Sequence, residues 1–447
     1  MIQSLRFLCI ASFSTLAVVS HTLFGLADEP FAVQWAWSEK EASSAGDGFW
    51  PQFRGPNGDG HAAVTAHPPK TWSETENVRW KIPIPGKAWS SPVSWGNTIW
   101  LTTASEDGLS MSALAIDRIT GTIRWNKEVF SNDATQPDFH VFNSYGSPTP
   151  VLDKDRIYVS FGAYGTAALN RDTGEIIWQR RDLRCNHFRG PGSSPILYRN
   201  LLIVHMDGFD QQYVIALDRK SGETVWRKDR ELEYGTDDGD IKKAFSTPLL
   251  IELSSGNANS KEVQLISTTS KGVLAYSPED GKEIWRVRYD EFSSTARPVF
   301  DGKQVFISTG FGKAKLLAIN PFGKGDVTSS HIAWDSSRAI GSKPSPICDN
   351  GSLYLLDDRG VLSSVNATTG QAQWQQRLGG DFSGSPILAD GKIYCFDEQG
   401  KGHVYTTDGT EVAVNSLEAG CLASPIAIGN DLIVRTRTSL YCLSPKP

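Results

Sequence analysis

Three histidines, two arginines and a run of acids gather in the first half of the chain, each group shortly after a tryptophan. His140, Asn143 and Tyr145, with Asp138, follow Trp125; Arg184, Cys185, His187 and Arg189 follow Trp178; Tyr234, Asp237, Asp238, Asp240 and Lys242 follow Trp226. His205, Asp207 and Asp210 lie between the last two groups. Paired guanidiniums suit a carboxylate, phosphate or sulfate gripped at two points. Histidines beside acids suit hydrogen bonding, proton transfer or metal ligation. No H-x-x-x-H spacing supports a metal, and Asp237-Asp238-Gly239-Asp240 lacks the register and terminal Glu of a calcium loop, so no metal is assigned. The bland alternative is that these side chains cap loops and tie neighbouring elements together. Gly310-Phe311-Gly312 and Gly323-Lys324-Gly325 read as turns, since no strand-to-helix step accompanies them.

The elements that must position these residues form a repeat. Ala115-Ile-Asp-Arg-Ile-Thr-Gly-Thr-Ile-Arg-Trp125 recurs from Ala168 to Trp178, Ala216 to Trp226, Ala275 to Trp285 and Ser364 to Trp374. A sixth copy opens at Ala318 and is stretched before Trp334; a seventh, around Asp408-Gly409, has Val414 in the Trp position. The Asp/Asn-x-x-Thr-Gly core is a tight hairpin turn, with the side-chain oxygen on nearby N–H groups and Gly supplying positive φ. The Trp then sits on an outer strand, able to bury about 200 Å² against a neighbour.

A second marker, a residue followed by Pro and an apolar strand, recurs at Pro92, Pro148, Pro195, Pro248, Pro298, Pro346, Pro386 and Pro425. Such spacing is that of propeller blades, four-stranded sheets that hide their apolar faces only by stacking in a ring. The unit after Pro425 ends before its Trp strand, while Asn77-Val78-Arg79-Trp80-Lys81-Ile82 stands alone near the start. The expected fold is therefore all-β, an eight-bladed β-propeller over residues 78–447, with the N-terminal strand closing the last blade. Trp80, Trp125, Trp178, Trp226, Trp285, Trp334 and Trp374 are its docking residues. In this topology the connections between blades share a face with the loops between the second and third strands. Three consecutive connections are enlarged, so the polar groups fall on one face, within the loops of blades 1 to 4.

The remainder of the sequence bounds the function. Lys and Arg total 44 against 50 Asp and Glu, and without a basic run the chain is a poor candidate for nucleic acid. Arg6, an apolar stretch from Phe7 to Val19 and the small-residue ending at Ala27 make a secretory signal peptide over 1–27, followed by a linker or strap over 28–77 that carries Trp35, Trp37, Trp50 and Trp72. Export to the periplasm or beyond follows, with no transmembrane segment in the mature chain. Cys185, Cys348, Cys395, Cys421 and Cys442 are an odd, scattered set rather than a disulfide framework.

The Ala-x-Asp-x-x-Thr-Gly-x-x-x-Trp repeat resembles the tryptophan-docking motif of quinoprotein-like propellers, shared by pyrroloquinoline-quinone (PQQ) dehydrogenases and by the propeller lipoprotein of the outer-membrane β-barrel assembly machine. Trp50-Pro51-Gln52-Phe53-Arg54-Gly55-Pro56-Asn57-Gly58, and the stretch from His140 to Gly192, further resemble exported propellers of planctomycete-type bacteria whose role is unassigned. The dehydrogenases of this family stack the quinone between a Trp and an adjacent-Cys disulfide and hold calcium with Glu, Asn and Asp; this chain departs from that pattern, having no adjacent cysteines and no lipobox. No cofactor is expected, and PQQ with calcium is the one that the resemblance would bring. The expected function is binding of a small-molecule or protein ligand on the face of the enlarged loops, through His140, Asn143, Tyr145, Arg184, His187, Arg189, His205, Asp207, Asp210 and Lys242. The alternatives are an enzyme, either a degenerate PQQ-type oxidoreductase or a hydrolase or lyase using the His/Arg/Asp cluster, and an envelope-assembly scaffold.

Overall fold

The computed structural model describes residues 37–137, 139–254 and 261–445. The expected signal peptide (1–27), Trp35 and Asp138 lie outside the described residues. Eight antiparallel sheets follow one another along the chain. Blade 1 shows the plan: Val93–Trp95, Thr98–Ala104, Ser110–Asp117 and Ile123–Ser131 run outward as strands A to D. Strands A to C are buried almost throughout, while strand D alternates with solvent, as stacked blades require.

The ring closes as the orphan strand implied. Val78–Pro83 is strand D of blade 8 and pairs antiparallel with Ser439–Leu443, Trp80 opposite Cys442. One marker was misread: the innermost strand of blade 2 starts at Val151, so Pro150, not Pro148, is the repeat position. The two prolines flank Thr149, and the sequence pattern fits both.

The docking motif works by close approach. In six seams the Trp ring of one blade lies on the Gly of the next blade's Thr-Gly turn. A Cβ on Gly222 would stand 2.7 Å from the Trp178 ring, so no larger residue fits. The Trp178 indole N–H then donates to Arg219 O at 3.0 Å. Trp285 is the exception. It is fully buried, donates to Gln264 Oε1 at 2.9 Å, and is covered by Gly325–Asp326, a fifth strand lent by blade 5 that pairs parallel with strand D of blade 4. That loan accounts for the stretched sixth repeat.

Val414 also has a physical reason. Closing blade 8 with the N-terminal strand leaves no turn between its strands C and D, so a Trp on blade 7 would have no Gly to dock on. Trp72 of the strap fills the place, stacked on Phe396 at 5.5 Å, with its backbone N–H on Asn415 Oδ1. The rest of the strap crosses the ring. Trp37, Phe49 and Trp95 pack edge to face, and Trp50 bridges to Ser94 of blade 1. The chain then passes over the axis to blade 7, where Leu388 bonds Gly60 and Ala62.

Candidate functional site

Residues 50–61 are an axial plug. Their contacts, Ser94, Leu152 and Leu388, lie on innermost strands beyond the start of each strand, away from the inter-blade connections. Arg54 reaches through the middle and donates to Pro346 O at 2.6 Å and Pro386 O at 3.0 Å. Arg297 donates to Phe53 O at 2.5 Å and Pro248 O at 3.1 Å. Gly58 lies against the Arg297 guanidinium so closely that a Cβ there would overlap it. The signature Trp50–Gly58 thus has a mechanical task that sequence reasoning did not find.

Above the plug lies a funnel of about 1300 Å³, with Phe53 in its lining. It is walled by the inter-blade connections and the loops between strands B and C, the face expected from the repeat. Its base is a necklace of hydroxyls from the residue preceding each repeat proline: Ser91, Thr149, Ser194, Thr247, Ser345, Ser385 and Ser424. In seven of the eight blades the backbone N–H donates to the next blade's hydroxyl, as from Ser91 to Thr149 Oγ1 at 2.9 Å and from Ser424 to Ser91 Oγ at 3.1 Å. Arg297 takes the remaining slot.

Of the predicted residues, His140, Asn143 and Arg189 line the funnel. The Asn143 amide donates to Arg189 O at 2.8 Å, locking two enlarged loops together. Arg189 grips Asp240 at two points, 2.9 and 2.8 Å, and this pairing holds the carboxyl well below its usual range. Lys243, which also lines the funnel, reaches the same carboxylate. Lys242, its expected counterpart, is outside the lining, because the short helix Gly239–Lys242 ends there and turns the next side chain inward.

The other predicted groups serve the scaffold. His205 is buried between Ser246 O and Ser267 Oγ, each at 3.0 Å, and burial with the nearby Arg230 charge keeps it neutral far below its ordinary pKa. Asp207 forms a fully buried two-point ion pair with Arg230, at 2.8 and 2.6 Å. Tyr145 is buried, its hydroxyl donating to Pro137 O at 2.9 Å. Asp210 accepts the Asn186 N–H at 2.6 Å. Arg184 is exposed away from the lining, its carbonyl accepting from Tyr213. His187 stands 3.9 Å from Cys185 Sγ, and burial pushes its pKa down to about 4. Of the candidate residues, His140, Asn143 and Arg189 therefore face the funnel, while Tyr145, His205 and Asp207 are buried away from its lining. Strand-end positions of the middle strands point between blades, and only the connection tips reach the axis.

Sequence reasoning missed the opposite wall. Lys313, Lys343, Asp357, Asp358, Arg359 and Asp381 line it from blades 5 to 7. Lys343 bonds Glu398 at 3.0 Å and sits 4.3 Å over the Phe142 ring. Lys313 and Arg359 are exposed and make no ion pair among the described residues. At the mouth, Phe142 is 47% and Phe311 62% exposed. The short-loop Gly-Phe-Gly at 310–312 was the one available signal, and it read as a plain turn.

The side chains do not fit a PQQ platform. Trp89 lines the funnel, but no cysteine does, and among the described residues no group of His, Cys, Asp and Glu is placed to hold a metal. The five described cysteines are separate thiols, Cys348 half-buried and the others buried. No helix among the described residues is long and apolar enough to cross a membrane.

Comparison with known proteins agrees with this architecture. A curated relative, outer membrane protein assembly factor BamB of Legionella pneumophila (strain Paris), is 24% identical over 56% of this chain, and the match spans about half, 49%, of that relative. The protein of the same name from Yersinia pestis is 22% identical over 79% of this chain and 87% of its own length. Among solved structures, quinohemoprotein alcohol dehydrogenase from Comamonas testosteroni superposes with a TM-score of 0.64 at 12% identity, covering 91% of this chain and 84% of that one, a likeness of fold. The family model described as outer membrane protein assembly factor BamB matches residues 35–208 and 210–446, nearly the whole propeller, and the chain belongs to that family.

Proposed function

We propose that this protein is an exported docking scaffold that takes a segment of a protein partner into the funnel on its loop-rich face. The observation that carries the reading is the funnel itself, open at one end, stopped by Phe53 and the plug at the other, with Phe142 and Phe311 exposed at its mouth. Large aromatics held on a rigid polar rim favour a surface that another molecule covers. Two of the three histidines expected to do chemistry are withdrawn into the blades, and His140 has its Nδ1 near the Phe142 N–H at 3.5 Å rather than on a carboxylate. The two outer membrane assembly factors that the chain resembles, together with the N-terminal signal pattern, support a setting in the envelope and a part in assembly there.

A photo-crosslinking residue at position 311 should yield protein adducts in cells, and one at the exposed Thr173 on the opposite face should not. Adducts from Thr173 alone would overturn the reading. No cofactor belongs to it: PQQ and calcium with a dye-linked oxidation screen should give no turnover, and turnover would restore the enzyme alternative.

A further inference from the structure

Three guanidiniums are sealed beneath the funnel with no carboxylate bonded to any of them, Arg54 and Arg297 at the plug and Arg435 between blades 8 and 1. Arg54, Arg297 and Arg435 are 1%, 0% and 3% exposed. Backbone carbonyls take most of their hydrogens; Arg435 donates to Ser90 O at 3.1 Å and Thr102 O at 3.0 Å, and to Ser90 Oγ at 2.7 Å. Arg54 Nε and Arg297 Nη2 are buried without a partner. Asp59 attracts Arg54 and Arg297 from a distance, but it gives Arg54 its carbonyl, while its carboxylate faces His61 at 3.4 Å. Burial without a bonded counter-charge pushes Arg297 and Arg435 down to about 9. A charge removed from water is ordinarily matched by its opposite.

The hydroxyl necklace lies at the same level. Its members accept a backbone N–H and, apart from Ser385, which donates to Ser345 Oγ at 3.1 Å, keep their own hydrogen. Ser91, Thr149, Ser194, Thr247 and Ser424 donate to no acceptor among the described residues, and all five line the funnel. Hydroxyl donors beside uncompensated positive charge are the requirement of an oxyanion. The lining acids Asp240, Asp357, Asp358 and Asp381 belong to the loops between strands or blades, outside the innermost ring, and Asp240 is already paired with Arg189 and Lys243.

We propose that the base of the funnel binds a compact oxyanion, a carboxylate, sulfate or phosphate group, through the necklace hydroxyls, with the buried guanidiniums supplying the attractive field. The site goes beyond the docking reading, because it draws on the base of the funnel and not on its aromatic mouth.

Calorimetric titration of the full chain with sodium phosphate at fixed ionic strength tests it. Saturable binding to one site is expected. Thr247→Val and Ser194→Ala each remove a donor hydrogen and should weaken binding about tenfold. Lys282→Ala, on a turn of the opposite face, should leave it unchanged. A glutamate-rich peptide that displaces phosphate where a glutamine-rich peptide does not assigns the anion to a polypeptide carboxylate; displacement by sulfate alone assigns it to a free ion. Absence of saturable phosphate binding by the unaltered protein overturns the proposal, whatever the variants do. So does full affinity in both hydroxyl variants when their melting temperatures match the parent.

Discussion

On the side of blades 1 to 4 the charged groups that reach the funnel, Arg189, Asp240 and Lys243, are tied to one another, whereas on the side of blades 5 to 7 shorter loops leave Lys313 and Arg359 in solvent. Within the funnel lining, the sector richer in sequence is the poorer in unpaired cations, because Arg189 and Lys243 both pair with Asp240. Long loops need internal fastening, and His205, Asp207, Asp210, Tyr145 and the Arg189–Asp240 pair supply it. Short loops are held by their own turns, as Asp357 holds the N–H groups of Arg359 and Val361, so their tips remain available. A cluster of polar residues on an insertion therefore reports first on how the insertion is held.

The sharpest way to break this contrast is Asp207→Ala. It strands a buried Arg230 and should cost about 3–5 kcal/mol, read as a lower denaturant midpoint. An unchanged midpoint would return Asp207 to the candidate site. Trp178→Ala, in the seam beneath the same sector, should cost about 3–5 kcal/mol through the cavity left over Gly222.

Acid should separate the two walls more gently. His187 and His205 hold a proton less tightly folded than unfolded, so their contribution is intact above about pH 6.5 and falls as pH drops below it. Each lowers stability by about 1.4 kcal/mol per pH unit in that range, for His187 until about pH 4. His187→Gln should flatten the slope measured between pH 7 and 5, and an unaltered slope would place the titration elsewhere. The smallest effects belong to the free wall: Lys313→Ala and Arg359→Ala should each shift stability by less than about 0.5 kcal/mol, while weakening partner crosslinks from position 311. A large loss of stability in either would show that this wall, too, is fastening.

The blades were legible in the sequence because most repeat the same local solution, a turn ending in Gly and a Trp ten residues from the opening alanine. Even so, Pro148 and Pro150 fit the pattern equally, and only the start of the strand at Val151 separates them. The face that carries the funnel was legible from connection lengths, since topology alone fixes which loops share it. The lining was not. Whether His205 reaches the axis or lies between blades depends on strand ends whose partners, Ser246 and Ser267, are far along the chain. The plug was less legible still: Arg54 bonds carbonyls 292 and 332 residues away, and no local pattern announces such a contact.

Closure by the first strand also sets an order of events. The bond from Arg79 to the Ser444 hydroxyl joins groups 365 residues apart, so blade 8 has no outer strand until the C-terminal strand has emerged. Seven blades can form while the chain is still being delivered, but the ring stays an open arc with two unsatisfied edges, and the loop-closure entropy of the whole propeller falls on the last step. A chain cut short before residue 439 would keep its repeats and lose its seal. The seal of the ring thus forms only once Val78–Pro83 and Ser439–Leu443 have met.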